Sequence, residues 1–226
     1  MSPLVDRWQT VVDNVKQATN LANRNTNNVQ LLAVSKTKPV EMVEELAAVG
    51  QQHFGENYLQ EALAKIEALK HLPDIHWHYI GSIQRNKTKD IAQNFDWVHT
   101  IERAIIAKRL NDQRPDGLSK LNVLIQVNID DEASKSGCQP NELESLIEEI
   151  MQYEKLQLRG LMIIPAKNGS DAFVKTNQLF QQIKQSYPEL TMWDTLSMGM
   201  SNDMDIAIAN GSTIVRVGTA IFGARN

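Results

Sequence analysis

The chain of 226 residues is 42% hydrophobic and 22% charged, with 27 acidic against 23 basic side chains and a formal net charge of −4. That is ordinary for a soluble globular protein of one large domain or two small ones, and it argues against a general nucleic-acid or membrane-surface binder. No stretch approaches the roughly 20 apolar residues of a spanning helix, and Met1 to Gln17 carries two acids and no apolar segment of the secretory kind.

Residues from Pro3 to about Arg24 predict an opening helix, because Leu4, Val5, Trp8, Val11, Val12 and Val15 mark one apolar face. Residues 23–28 are a polar, turn-prone break. Strand-like runs then occupy 30–36, 53–57, 76–81, 97–101, 121–129, 156–164, 191–197 and 213–219. Helical patterns lie between them at about 39–49, 58–70, 86–95, 102–112, 140–153, 171–186 and 202–210. Pro39 and Pro140 suit first helical turns, and Gly50 and Gly211 suit helix ends.

Strands that alternate with helices pair in parallel through crossover connections. Runs such as Val123 to Val127 and Leu161 to Ile164 are nearly continuous in apolar residues, as expected of strands covered on both faces. Eight such units fit a (β/α)8 TIM-type barrel with an extra N-terminal helix better than an open doubly wound sheet. The turn after the first strand, Ser35-Lys36-Thr37-Lys38-Pro39, lacks the glycines of a dinucleotide-binding fingerprint. No linker or charge block divides the chain, so 1–226 reads as one domain: 1–28 helix and connector, 29–226 barrel.

Active sites of such barrels form at the C-terminal strand ends, and the first strand ends in a lysine. Alternation puts Leu32, Val34 and Lys36 on one face of that strand, and Ile214, Arg216 and Gly218 on one face of the last. First and last strands are neighbours in a closed barrel, so two cations approach each other at one rim. Like-charge proximity and desolvation lower a lysine pKa and free its amine for a Schiff base with a carbonyl. The plainer alternative sends Lys36 to solvent and pairs Arg216 with a carboxylate such as Glu56. The turn Ser197-Met198-Gly199-Met200-Ser201-Asn202-Asp203 opens a helix with Ser201 as its expected N-cap. Gly218-Thr219 allows close backbone approach. Barrels often hold phosphate in the loops after strands 7 and 8, so the expected ligand has one carbonyl and one phosphate. Pyridoxal 5'-phosphate (PLP) has both.

The blocks Ala33-Val34-Ser35-Lys36-Thr37, Phe54-Gly55-Glu56-Asn57-Tyr58, His76-Trp77-His78-Tyr79-Ile80-Gly81, Leu196-Ser197-Met198-Gly199-Met200-Ser201 and Arg216-Val217-Gly218-Thr219 resemble the PLP homeostasis proteins. That family is similar to the barrel domain of bacterial alanine racemase, PLP fold type III. The resemblance covers nearly the whole chain. It implies that Lys36 holds PLP as a Schiff base, that Ser201, Gly218 and Thr219 hold the phosphate, that Arg216 faces the pyridine nitrogen, and that Asn57 and Met198 line the ring. It further implies a protein that buffers, delivers or protects PLP, with PLP-dependent apoenzymes as recipients. The lone cysteine points to a cytoplasmic location, the absence of the racemase's dimer-forming β-domain to a monomer, and the net charge to no nucleic-acid or membrane partner.

Two other activities share this fold and a Schiff-base lysine. A racemase needs a second acid/base, which in the related enzymes is a tyrosine from a C-terminal β-domain; the chain stops at Asn226 without one, so efficient racemisation is not expected. A Schiff-base aldolase of this fold usually takes its lysine from strand 6, and that strand has none here. His76 and His78 share a strand face and read as hydrogen-bonding residues rather than metal ligands, and no metal is expected. Lys87 and Lys89 read as a solvated helix face, and Asp130 to Gly137, with Lys135, as a charged rim loop. Cys138 reads as an incidental thiol in a reducing cytosol. Tyr58 and Tyr79 are the tyrosines nearest the expected site.

Overall fold

A computed structural model describes residues 2–130, 136–166 and 170–224. The chain opens with helix α1 (Pro3–Leu21), followed by β1 (Gln30–Val34), α2 (Val40–Ala48), β2 (His53–Glu56), α3 (Leu59–Ala68), β3 (His76–Tyr79) and α4 (Thr88–Asn94). It continues through β4 (Trp97–Ile101), α5 (Ala104–Gln113), β5 (Leu121–Gln126), α6 (Leu143–Met151), β6 (Leu156–Met162) and α7 (Ser170–Ser186). It ends with β7 (Thr195–Met200), α8 (Met204–Ala209), β8 (Ile214–Val217) and the single turn α9 (Thr219–Phe222). All eight strands are parallel and close in chain order, β8 pairing back onto β1. This is the expected TIM-type barrel.

Local chemistry sets the boundaries. Ser2 caps α1 by accepting from the Val5 amide, with Pro3 in the first turn. The helix buries Leu4, Val5, Val11 and Val15 against the barrel's outer layer. Arg7 donates to the Ile221 carbonyl and Arg24 to those of Ile208 and Ser212, tying α1 to α9 and the turn after α1 to the end of α8. Pro39 occupies the N-cap of α2, one position before its first turn. The helices expected at 86–95 and 140–153 each begin with a 3-10 turn, Arg85–Lys87 and Pro140–Glu142.

The seventh strand is a correction: the run expected at 191–197 forms its strand at Thr195–Met200. Thr191 and Trp193 instead make turn hydrogen bonds to Glu189 and Leu190, and the Trp193 indole, 1% exposed, donates to the Phe180 carbonyl under α7. Burial of a large aromatic between helix and loop outweighs its strand propensity.

Side chains pointing outward from the strands, among them Phe54, Val98, Val123, Leu161, Leu196, Val215 and Val217, form the main core with the helices. The lumen is different. A small apolar cluster of Trp97, Leu124 and Met162 fills part of it, and polar residues described below occupy much of the rest. Where β5 and β6 shift register, opposite Leu124, stands Gly160 with φ +148°. A Cβ there would lie 1.9 Å from the Thr195 carbonyl oxygen. Gly160→Ala therefore combines backbone strain with overpacking and should lower unfolding free energy by about 2–3 kcal/mol, read as a lower urea midpoint at unchanged m-value.

Candidate functional site

Strand register assembles the candidate residues on one rim. Ala33 pairs with Val217, Met200 with Arg216, and Val34 with Gly55. The C-terminal ends of β7, β8, β1 and β2 are therefore consecutive around the barrel, carrying Ser201, Gly218 and Thr219, Lys36 and Asn57 respectively. Lys36 is half-buried in the turn after β1. A Cβ on Gly218 would come within 3.3 Å of the Val34 carbonyl, so the backbone after β8 lies against the end of β1. Thr219 is exposed and opens α9. A Cβ on Gly81 would lie 2.2 Å from the Asn57 carbonyl, so only glycine lets the chain after β3 pack on the Asn57 backbone. The Asn57 Oδ1 is buried with no hydrogen-bond partner among the described residues. A buried amide oxygen in that state is one that a ligand can satisfy.

Two expectations change. Ser201 is not the N-cap of α8: Asp203 stands there, and its Oδ1 accepts from the Met200 amide at 2.6 Å, closing the turn in which Ser201 sits. The aspartate reaches back to the strand end, which displaces the helix start to Met204. Met198 is fully buried in the outer core with Leu196, Val215 and Val217, and its carbonyl accepts from Ser212.

A charged knot braces the lysine turn from outside the barrel. Lys65 on α3, 5% exposed, donates to Glu56 Oε1 at 2.7 Å, to Glu61 at 2.5 Å and to the Ser35 carbonyl at 2.7 Å. The Ser35 hydroxyl also donates to Glu56, and Glu61 accepts from the Thr37 amide. Residues on both sides of Lys36 are thus fixed. Thr37 adopts φ +63°, an uncommon left-handed conformation for a β-branched residue. Burial raises the Glu56 carboxyl pKa, and Lys65 opposes the shift. Lys65→Met leaves that carboxylate without its counter-ion and should cost about 3–5 kcal/mol, measured by denaturant unfolding at neutral pH.

Arg216 faces the lumen, 6% exposed. It does not pair with Glu56, which lies on the helix-facing side of β2 with Phe54. Instead its Nη1 donates to Ser197 Oγ at 2.8 Å and its Nη2 to the Ile163 carbonyl at 2.8 Å. Among the described residues those bonds engage two of five guanidinium N–H donors. Burial pulls its pKa down to about 10, with the Asp203 carboxylate opposing, so it remains cationic at neutral pH.

From Ser197 the contacts continue across the lumen. Ser197 Oγ lies 2.9 Å from His99 Nδ1, His99 Nε2 is 2.9 Å from His78 Nδ1, and His78 Nε2 is 3.0 Å from His53 Nδ1. His78 stacks on Trp97 with centroids 5.3 Å apart, and His53 stacks on the more exposed His76 at 4.8 Å. His78 thus takes the hydrogen-bonding role expected of it. Sequence reasoning missed His53, His99 and Ser197, although inward alternation along β2, β4 and β7 is the signal that would have found them.

The remaining candidates are quiet. Cys138 is buried, and its thiol is pushed up to about 12, first by burial and then by Glu142, as befits an unreactive thiol. Tyr79 is buried and donates to the Ser82 carbonyl, while Tyr58 is half exposed beside Asn57. Lys89 is exposed and Lys87 partly buried. Residues 131–135, including Lys135, lie outside the described residues. Among the described residues no group of three or more His, Cys, Asp or Glu could hold a metal ion.

Burial dominates in lowering the pKa of both His78 and His99 well below the usual imidazole value, with His99 acting next on His78 and Arg216 on His99. Below about pH 6.5 the unfolded chain therefore binds protons that the folded one refuses, so stability falls as pH falls. Two such histidines should remove about 3 kcal/mol between pH 6.5 and pH 5, seen as a falling urea midpoint across that window.

Residues 8–226 match the family model described as "Alanine racemase, N-terminal domain". The chain is 51% identical over 223 residues to the pyridoxal phosphate homeostasis protein of Pasteurella multocida, covering 96% of this chain and 95% of that protein. It superposes with a TM-score of 0.81 on PipY of Synechococcus elongatus PCC7942 solved with PLP bound, at 33% identity over 92% of this chain and 100% of that one. Alanine racemase from Corynebacterium glutamicum shares the fold, with TM-score 0.67 and 16% identity over 96% of this chain and 61% of that chain. On sequence and fold together, the chain belongs to the alanine racemase N-terminal domain family and, within it, to the pyridoxal phosphate homeostasis proteins.

Proposed function

We propose that this chain is one PLP-binding barrel domain acting in intracellular PLP homeostasis, where it buffers, delivers or protects the cofactor with little or no catalysis of its own. The observation that carries the reading is the rim itself. A half-buried lysine stands two residues past the end of β1, where the Gly218 backbone packs on Val34, on a chain one-third identical to a protein solved with PLP. The residues present fit that cofactor. Lys36 supplies the amine for its aldehyde. Ser201, Gly218 and Thr219 supply backbone and hydroxyl donors for its phosphate. Asn57 supplies an unsatisfied amide oxygen beside the ring. Arg216 supplies a cation toward the pyridine nitrogen with donors to spare. Met198 contributes at most its backbone, since its side chain is packed outward.

Bound PLP supplies an electron-accepting ring, and a permanent cation at the ring nitrogen opposes protonation there, weakening that property. This supports a carrier over a racemase. So does the placement of Tyr79, whose hydroxyl is committed to Ser82. We further propose a cytoplasmic monomer that passes PLP to apoenzymes, with altered amino-acid and keto-acid pools as a downstream effect. Titration with PLP should produce a visible absorption band in the wild type and none in Lys36→Ala, which retains only weaker binding through the phosphate contacts. A wild type without the band at excess PLP would refute the assignment, and rapid interconversion of L- and D-alanine by loaded protein would favour the racemase. Light scattering checks the monomer.

A further inference from the structure

The row of contacts across the lumen has a property that none of its members has alone. A neutral imidazole carries one N–H donor and one acceptor nitrogen. Three of them joined ring to ring through alternate nitrogens, as His99, His78 and His53 are, can satisfy every junction only if all three adopt the same tautomer. Protonating the central His78 while its neighbours keep their tautomers sets donor against donor at one of its junctions. Burial works in the same direction by holding His78 and His99 neutral.

The other end of the row supplies a reason for one direction. Arg216 has only donors, so Ser197 Oγ accepts from it with one lone pair, and donation of the serine hydrogen to His99 Nδ1 gives the row one direction. His99 then carries its proton on Nε2 and donates to His78 Nδ1. His78 does the same toward His53 Nδ1, and the last N–H falls on His53 Nε2, near the opposite mouth where His76 is exposed. The row spans β2, β3 and β4, crosses the lumen past β5 and β6, and ends on β7 and β8. Barrel lumens are usually filled by branched aliphatic side chains. Polar groups in that position must be fully partnered, and once partnered they fix one arrangement.

We propose that Ser197, His99, His78 and His53 form a directional row of hydrogen bonds that orients the Arg216 guanidinium toward the bound cofactor, making Ser197 and His99 positioning residues for it. The role of Arg216 rests on the PLP reading above, but the row itself does not. Nitrogen-15 NMR of histidine-labelled protein without PLP, near pH 7, tests the row alone. The expected result is that His53, His78 and His99 are all neutral with the proton on Nε2. Mixed tautomers, or an imidazolium at His78 or His99, would overturn the row. Protons on Nδ1 in all three would overturn its direction.

The positioning role is read from the visible band of the PLP-loaded protein. Ser197→Ala and His99→Leu should shift the band maximum and its pH titration while PLP stays bound. His99→Asn, whose Oδ1 can accept from Ser197 in place of Nδ1, should restore most of the wild-type spectrum. A band unchanged in Ser197→Ala and His99→Leu, with only thermal stability lowered, would reduce these residues to lumen packing. If these variants fail to fold, the tautomer measurement on the wild type still decides the row. Failure of the wild type to take up PLP at all would instead sink the functional reading and leave the row standing.

Discussion

Pairing of β1 with β8 is the constraint on which the other features depend. The Gln30 amide donates to the Thr213 carbonyl at 2.8 Å, and four residues of β1 then run in register with four of β8. That register sets Leu32 beside Arg216 and brings the Lys36 turn alongside Gly218, although these residues are far apart in sequence. A slip of one residue would turn Arg216 into the apolar layer under the helices and Val217 into the lumen. Burying a guanidinium there without acceptors would cost far more than a misplaced methyl group. The sheet thus closes in one register, and the rim follows from it.

The polar groups on the two sides of the sheet behave differently. Outside β1 and β2, Lys65, Glu56, Glu61 and Ser35 form a compact ionic cluster whose members are held by one another. Such a cluster adds little net stability but is intolerant of losing a member. Inside, the hydrogen bonds of Arg216 among the described residues go to a hydroxyl and a carbonyl, and the Asp203 carboxylate acts on it only through space. Its direct partners are neutral, which leaves its positive charge available to an approaching aromatic nitrogen or anion. The lysine turn is braced by the first arrangement, and the electrostatics of the rim come from the second.

Much of this was legible in the sequence, for definite reasons. The two-residue period placed Lys36 and Arg216 on inward faces, and parallel closure made them neighbours. The same period also places Glu56 with Phe54 on the outer face, which rules out its pairing with Arg216, and applying it to β2 would have prevented that expectation. The seventh strand was misplaced because Thr191-Met192-Trp193 has strand-like composition while its burial is decided by α7, a partner no local pattern reveals. Ser201 looked like a cap because serine is a good one, but Asp203 is equally good and lies closer to the helix. The histidines escaped notice for another reason. His53, His78 and His99 are 25 and 21 residues apart, and only the strand register brings their rings together.

The link between His99 and Ser197 spans 98 residues, and this bears on how the molecule is made. During synthesis the chain reaches β4 long before β7 leaves the ribosome. His99 and His78 must stay hydrated until the second half arrives, because a lumen sealed around them early would strand their nitrogens. Sealing the lumen before β7 arrives is thereby penalised, because buried polar nitrogens without partners cost free energy.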